Sequence, residues 1–251
     1  MVEMKFPIIP ILALASLLSM QGCVTKGDPI SVLGTPKFVS QSQPDSVIET
    51  GIGQDPNTGG VFLQWYTTEG AAGYKIYRSD TAAANAIPIN FVPIGNVIAS
   101  TSLNDTSYVD LPEDIQVGVR YYYYLRGYAG DGSQGNPSDT INYRLLHRPV
   151  LYYPAQNALV DTSNLYLQWY DVSGGGYVVV RVKDITAPLH STIWVSKRFQ
   201  DFASNPLVVF NFDMTATEDL LPGHSYQWRV DRFNPGANEG ARSPWSTFMV
   251  K

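Results

Sequence analysis

From about residue 35 onward, apolar and polar positions alternate with a period of two, in short runs broken by Gly, Pro, Asn and Asp. Val61, Leu63 and Trp65 fall on one side of such a run, and Phe62, Gln64 and Tyr66 on the other. This is the pattern of a strand with one buried face. The same reading predicts strands over 36–43, 61–66, 73–79, 91–98, 107–110, 119–129 and 140–146, with polar loops at 51–60 and 131–136. After residue 149 the pattern restarts, with strands expected over 165–170, 177–183, 193–199 and 207–212, and a further one ending at Val230. Leu-Gln-Trp-Tyr occurs at Leu63–Tyr66 and again at Leu167–Tyr170. From the tryptophan to a matched tyrosine is 56 positions in one copy (Trp65 to Tyr121) and 57 in the other (Trp169 to Tyr226). Two copies of one unit of about 105 residues account for this. Outside the N-terminal segment no apolar pattern at helical spacing lasts three turns. The fold class expected is therefore all-β.

The residues that carry the repeat resemble fibronectin type III domains. They are Leu-x-Trp (Leu63, Trp65; Leu167, Trp169), Tyr-x-x-x-Arg (Tyr74, Arg78; Tyr177, Arg181), Leu-x-Pro-Gly-x-x-Tyr (Leu220, Pro222, Gly223, Tyr226) and Tyr-x-Tyr-x-Leu (Tyr121, Tyr123, Leu125). The resemblance spans nearly all of Pro36–Val250. It implies two tandem immunoglobulin-like β-sandwiches, over 35–146 and 147–251, with each tryptophan between two sheets. It also implies a corner hydrogen bond from Tyr121 and Tyr226 to nearby backbone. In the first copy Ile115-Gln116-Val117-Gly118 stands where Leu-x-Pro-Gly would be, so a weaker corner is expected there. Trp65, Tyr121, Trp169, Tyr226 and Trp228 are the expected core anchors, since a buried aromatic removes about 150–250 Å² from water.

The N-terminus departs from this pattern. Phe6 to Met20 is apolar over roughly 15 residues, short of the ~20 of a spanning helix and within the range of a signal-peptide core. Pro7 and Pro10 suit a spanning helix poorly. The run closes on Leu18-Ser19-Met20-Gln21-Gly22-Cys23, which holds the only cysteine of the chain. This stretch resembles the lipobox of bacterial lipoproteins. The resemblance implies that residues 1–22 are a signal peptide and that Cys23 becomes a lipidated N-terminus. Residues 23–34 would then be a tether to a membrane. Val24 is not the aspartate associated with inner-membrane retention, so the outer membrane of a bacterial envelope is favoured. Whether the sandwiches face periplasm or medium is open, as is a start at Met4 in place of Met1.

Charge and composition narrow the chemistry. The formal net charge is −5. Residues 35–146 carry six Lys/Arg against eleven Asp/Glu, and residues 147–251 carry nine of each. No basic stripe exists, so nucleic acid is not an expected partner. With no cysteine after Cys23 there is no disulfide, and the sandwiches stand on their cores. His147, His190 and His224 are far apart, and no zinc, phosphate-loop or nucleophile-elbow motif occurs. No catalytic residue, metal site or cofactor is expected. The carboxylate pairs Glu113–Asp114 and Glu218–Asp219, and the calcium-like loops 54–58 and 131–136, read as solvated turns.

Two stretches point to binding. If Tyr121, Tyr123 and Leu125 face inward, Tyr122, Tyr124, Arg126 and Tyr128 line an outer face, joined by Lys75 and Tyr77 of the neighbouring strand. An exposed aromatic face suits a protein partner or a glycan, while cross-strand pairing that stabilises the sheet is the competing reading. Tyr177–Val182 is apolar on both faces, which requires cover on its outer side. The function expected is non-catalytic. The chain reads as an envelope lipoprotein whose modules bind a protein or space it from the membrane, with a carbohydrate-binding accessory role as the alternative.

Overall fold

The computed structural model describes residues 33–82, 88–99, 106–163, 165–171, 176–186, 190–200, 206–234 and 236–251. The expected signal peptide, Cys23 and the tether up to residue 32 lie outside the described residues. Apart from a 3-10 turn at Pro112–Asp114, the regular structure among the described residues is all strand.

The first half holds β1 (Gly53–Gln54), β2 (Val61–Gln64), β3 (Gly73–Ser79), β4 (Thr81–Ala82), β5 (Pro88–Ile89), β6 (Val92–Ile98), β7 (Ser107–Asp110), β8 (Arg120–Tyr128), β9 (Gln134–Pro137) and β10 (Ile141–Leu145). The second half holds β11 (Val150–Tyr153), β12 (Ala158–Val160), β13 (Tyr166–Tyr170), β14 (Gly176–Asp184), β15 (Ser191–Gln200), β16 (Leu207–Val209), β17 (Ser225–Phe233), β18 (Glu239–Arg242) and β19 (Ser246–Val250).

Each half is a sandwich. In the first, the antiparallel sheet β1–β2–β7 faces β6–β3–β8, which β9 and β10 extend. In the second, β11–β13–β16 faces β15–β14–β17, which β18 and β19 extend. The last strand of each half breaks at a serine. Ser138 N–H donates to the Leu125 carbonyl, and Ser243 N–H to that of Val230, both at 2.9 Å. The serine hydroxyls accept the return N–H bonds of Leu125 and Val230, at 3.0 and 3.1 Å.

Two cores result, one between each pair of sheets. The first gathers Val61, Leu63, Trp65, Tyr74, Ile76, Tyr121, Tyr123 and Leu125. The second gathers Leu167, Trp169, Val178, Val180, Val182, Trp194, Tyr226 and Trp228. All five expected anchors are buried. Trp65 meets Tyr74 edge-on with ring centres 5.3 Å apart. Trp169 Nε1–H donates to Gln200 Oε1 at 3.0 Å, and Trp228 Nε1–H to the Pro154 carbonyl at 3.1 Å. The corner bond is made twice, from Gln116 N–H to Tyr121 Oη (2.9 Å) and from Leu221 N–H to Tyr226 Oη (2.8 Å). The weaker first corner expected from the sequence is not found. The tyrosine accepts from backbone, and Gly118 and Gly223 take the same left-handed turn (φ 85° and 79°) in both copies.

Other expectations change. Of 36–43, only Lys37–Val39 runs beside β2, through the pairing of Phe38 with Trp65. Val39 N–H donates to Gln64 and Tyr66 N–H to Lys37, both at 2.9 Å. The loops at 51–60 and 131–136 contain β1 and β9. Gly34, at the end of the expected tether, is docked, with its N–H on the Glu69 carbonyl at 3.2 Å.

The two sandwiches share a sheet. β10 pairs with β18 in parallel, Arg144 opposite Glu239 and Leu145 opposite Gly240. This makes one eleven-stranded sheet across both halves. Gly240 is required there, since a Cβ would lie 2.6 Å from the Arg232 carbonyl oxygen and 2.8 Å from Tyr143 Oη. The segment after Val39 crosses onto the second half. Arg181 donates to the Ser46 carbonyl at 2.7 Å and to that of Pro44. Glu49 accepts from Arg229 Nη2 at 2.7 and 2.8 Å and lies 2.9 Å from Arg242 Nη2. Asp231 pairs with Arg181 Nε at 2.9 Å and with Arg229 Nε at 2.6 Å. This is the cover that the doubly apolar β14 called for. Arg148 of the link joins in, donating to the Arg242 carbonyl at 2.7 Å and to that of Pro56.

Burial alone would raise the Asp231 pKa. The guanidinium groups of Arg229, Arg242 and Arg181 overcome that and hold the carboxyl below the ordinary aspartate range.

Trp169→Ala is expected to destabilise the protein by about 3–5 kcal/mol, read as a lower urea midpoint, because it empties a large core volume. Asp231→Asn leaves the buried Arg181 and Arg229 with Glu49 as their one carboxylate and is expected to cost a comparable amount, about 3–5 kcal/mol. The stability that Asp231 contributes is complete above about pH 4 and is lost as pH falls through its depressed native value. The wild-type urea midpoint should therefore fall on acidification below pH ~4, and fall less steeply in Asp231→Asn.

Candidate binding surfaces

The outer face of β3 and β8 brings all six candidate residues together. β8 alternates half-buried and buried positions along its length. Across the pair, Tyr77 lies opposite Tyr124, Lys75 opposite Arg126, Ser79 opposite Tyr122 and Gly73 opposite Tyr128. The side chains engage one another. Tyr77 and Tyr124 stack with ring centres 4.7 Å apart, and Phe91 meets Tyr124 edge-on at 4.7 Å. Arg126 lies 6.0 Å from the centre of the Tyr124 ring and donates to the Gly135 carbonyl at 2.9 Å. Tyr77 Oη donates to Gln134 Oε1 at 3.2 Å. Each of the six residues is half-buried. The cluster thus combines the cross-strand pairing of a stabilised sheet with a partly accessible aromatic surface.

Beneath it lies a buried polar group. Asp110 accepts from Arg78 at 2.7 Å and from the Tyr123 hydroxyl at 2.9 Å. Burial pushes the Asp110 pKa up in spite of Arg78, and burial together with the Asp110 charge pushes the Tyr123 phenol up. With both oxygens engaged inside the core, this group holds β3, β7 and β8 together.

A second surface was not singled out by the sequence. The outer face of β11–β13–β16 exposes Val150 (59%), Tyr152 (70%), Tyr166 (39%), Tyr170 (42%), Leu207 (51%) and Val209 (43%). Val150 lies opposite Tyr170, and Tyr166 opposite Val209. The alternation of Tyr166 and Tyr170 with buried Leu167 and Trp169 was the available signal. Of the corresponding first-copy positions, Phe62 is half-buried and Tyr66 is exposed.

The groups considered for chemistry stay apart. His224 Nδ1 pairs with Asp184 at 2.8 Å, while His147 and His190 are exposed elsewhere. Asp55 and Asp131 close local turns by accepting from Asn57 and Ser133 N–H, at 2.8 and 2.9 Å. Among the described residues no group of three or more His, Cys, Asp or Glu is placed to hold a metal. No helix among them is long and apolar enough to cross a membrane.

No family model matches the chain, and no curated protein does. Solved structures similar to it include a Fn3-like protein from Clostridium thermocellum, at 18% identity and TM-score 0.31, over 45% of this chain and 90% of that one. They also include the FN1-FN3 domains of chicken CNTN1, at 14% identity and TM-score 0.35, over 87% of this chain and 69% of that one.

A double-mutant cycle on Tyr77→Ala and Tyr124→Ala, read by urea unfolding, is expected to give a coupling of about 0.5–1.5 kcal/mol, the range of a stacked aromatic pair. Additive losses would show that the stack contributes nothing beyond burial.

Proposed function

We propose that the protein is a non-catalytic lipoprotein of a bacterial cell envelope, the outer membrane favoured, which holds a binding surface in fixed orientation at the end of a lipid-anchored tether. The observation that carries this reading is the joining of the two sandwiches through β10 and β18. Tandem modules linked only by a flexible segment would present their surfaces at variable angles. A shared sheet, covered by residues 44–49 and closed by buried ion pairs, presents both faces of the body as one unit. That is the property a scaffold or spacer needs. The exposed apolar face of β11–β13–β16 supports a protein as the partner, since contiguous apolar surface on a folded body marks an interaction site.

The lipid anchor rests on the resemblance of Leu18–Cys23 to a lipobox. A single acyl chain holds a membrane only marginally, whereas the several chains of a bacterial lipoprotein attach it durably. Metabolic labelling with an alkyne-bearing palmitate analogue in a bacterial host tests the anchor. The expected result is label on the wild type, none on Cys23→Ala, and transfer of Cys23→Ala from the membrane to the soluble fraction. Equal labelling of both forms, or wild type that is soluble without detergent, would overturn the lipoprotein reading.

A further inference from the structure

The junction between the sandwiches encloses more than ion pairs. Two cavities of about 460 and 490 Å³ open along it. Each lies within the roughly 300–1,000 Å³ of small-ligand sites. Tyr177, Phe233, Lys197 and Gln43 line the first, Phe38 and Ile141 the second, and Gln41 and Asn238 line both. The two cavities therefore adjoin as a double groove, with Gln41 and Asn238 between its parts.

The first cavity has an aromatic wall. Tyr177 and Phe233 stack with ring centres 5.6 Å apart and planes inclined by 29°, and Phe199 meets Tyr177 edge-on at 5.4 Å. Its rim is amide. Gln41, Gln43 and Asn238 are exposed, and their side chains make no hydrogen bond to another described residue. A primary amide both donates and accepts. Asn238 is held by backbone in the left-handed region (φ 45°), two residues after Gly236 (φ 74°). The charges at this rim are already matched. Lys197 pairs with Asp45 at 2.7 Å, and Glu239 pairs with Arg120 at 3.4 Å and with Arg144. The second cavity adds Lys37 and Asp139, of opposite sign.

Aromatic rings, free amides and balanced charge describe one class of ligand. A pyranose ring has an apolar C–H face that lies flat on an aromatic ring, and hydroxyls around its edge that each donate and accept. Against an anion stands Asp139, which lines the same cavity as Lys37. We propose that this double groove binds a neutral linear oligosaccharide, one sugar ring stacked on Tyr177 and Phe233 and the chain passing Gln41 and Asn238 into the second cavity. The site exists only because the two sandwiches are joined, and it does not depend on the lipid anchor.

The test is isothermal titration calorimetry of the full chain in detergent micelles against cellohexaose, xylohexaose, mannohexaose, maltohexaose and chitohexaose. Saturable binding of at least one hexaose is expected. Tyr177→Ala should weaken it about tenfold, as loss of a stacked ring does. Asn238→Gly removes the amide while keeping the left-handed turn, and Gln43→Ala alters only an exposed side chain. Each should weaken binding about three- to tenfold with an unchanged melting temperature. Failure of all five hexaoses to bind the wild type would overturn the proposal. So would binding that Asn238→Gly and Gln43→Ala leave untouched, or a groove that a mixed peptide library occupies and the hexaoses do not.

Discussion

The contact on which the structure depends is the parallel pairing of β10 with β18, closed by Glu49 and Asp231 among the guanidinium groups of Arg181, Arg229 and Arg242. Backbone alone gives only a short ladder there, which includes Arg144 N–H on Asn238 and Leu146 N–H on Gly240. A few hydrogen bonds at about 1 kcal/mol each could not hold two sandwiches in one orientation. The ion pairs around them change that balance. Arg181, Arg229 and Asp231 all lie on the second sandwich and are removed from water. The first sandwich supplies Glu49 to Arg229 and Arg242, and the Pro44 and Ser46 carbonyls to Arg181, so separating the halves breaks all of these contacts together.

The repeat itself is symmetrical, and the junction is where the copies diverge. Both copies keep the core tryptophan of Leu-Gln-Trp-Tyr, the corner tyrosine and the serine break in the last strand. What differs is the outer surface. On the first copy, β3 and β8 carry tyrosines that pack on each other. On the second, the corresponding strands β14 and β17 carry Arg181, Arg229 and Asp231, which are buried beneath the segment after Val39. Two strands built alike on their inner faces thus serve different ends on their outer faces. One is a self-sufficient aromatic surface, and the other is a socket for the preceding module. The aromatic and amide groove along the junction follows from that seating.

Much of the sandwich was legible in the sequence because a strand with one buried face writes its period into the chain. The runs at 73–79 and 107–110 matched the structure to the residue, and every aromatic anchor named from the repeat is buried. Of the strands that were missed, two carry no such signal. Gly53–Gln54 and Glu239–Arg242 are short and rich in glycine and polar residues, and they are strands because a neighbour pairs with them. The expected strand at 36–43 failed for the complementary reason. Its polar second part, Ser40-Gln41-Ser42-Gln43, turns back on Thr50 instead, with Ser42 N–H on the Thr50 carbonyl at 3.2 Å and Thr50 Oγ1 on the Ser40 carbonyl at 3.0 Å. The doubly apolar β14 correctly demanded cover, but the identity of the cover lay more than a hundred residues away. The candidate aromatic face was legible as a cluster through the alternation in Tyr121–Tyr128. The apolar face of β11–β13–β16 and the junction groove were not, since both arise from strands brought together by topology.

The central claim is that the two sandwiches are one cooperative body. Differential scanning calorimetry of the wild-type chain at neutral pH tests it most directly. The account predicts one transition, with calorimetric and van't Hoff enthalpies in agreement, because unfolding either half removes the Glu49, Pro44 and Ser46 contacts and the β10–β18 pairing that the other half is built around. Two resolved transitions, each with the enthalpy of a single sandwich, would contradict it.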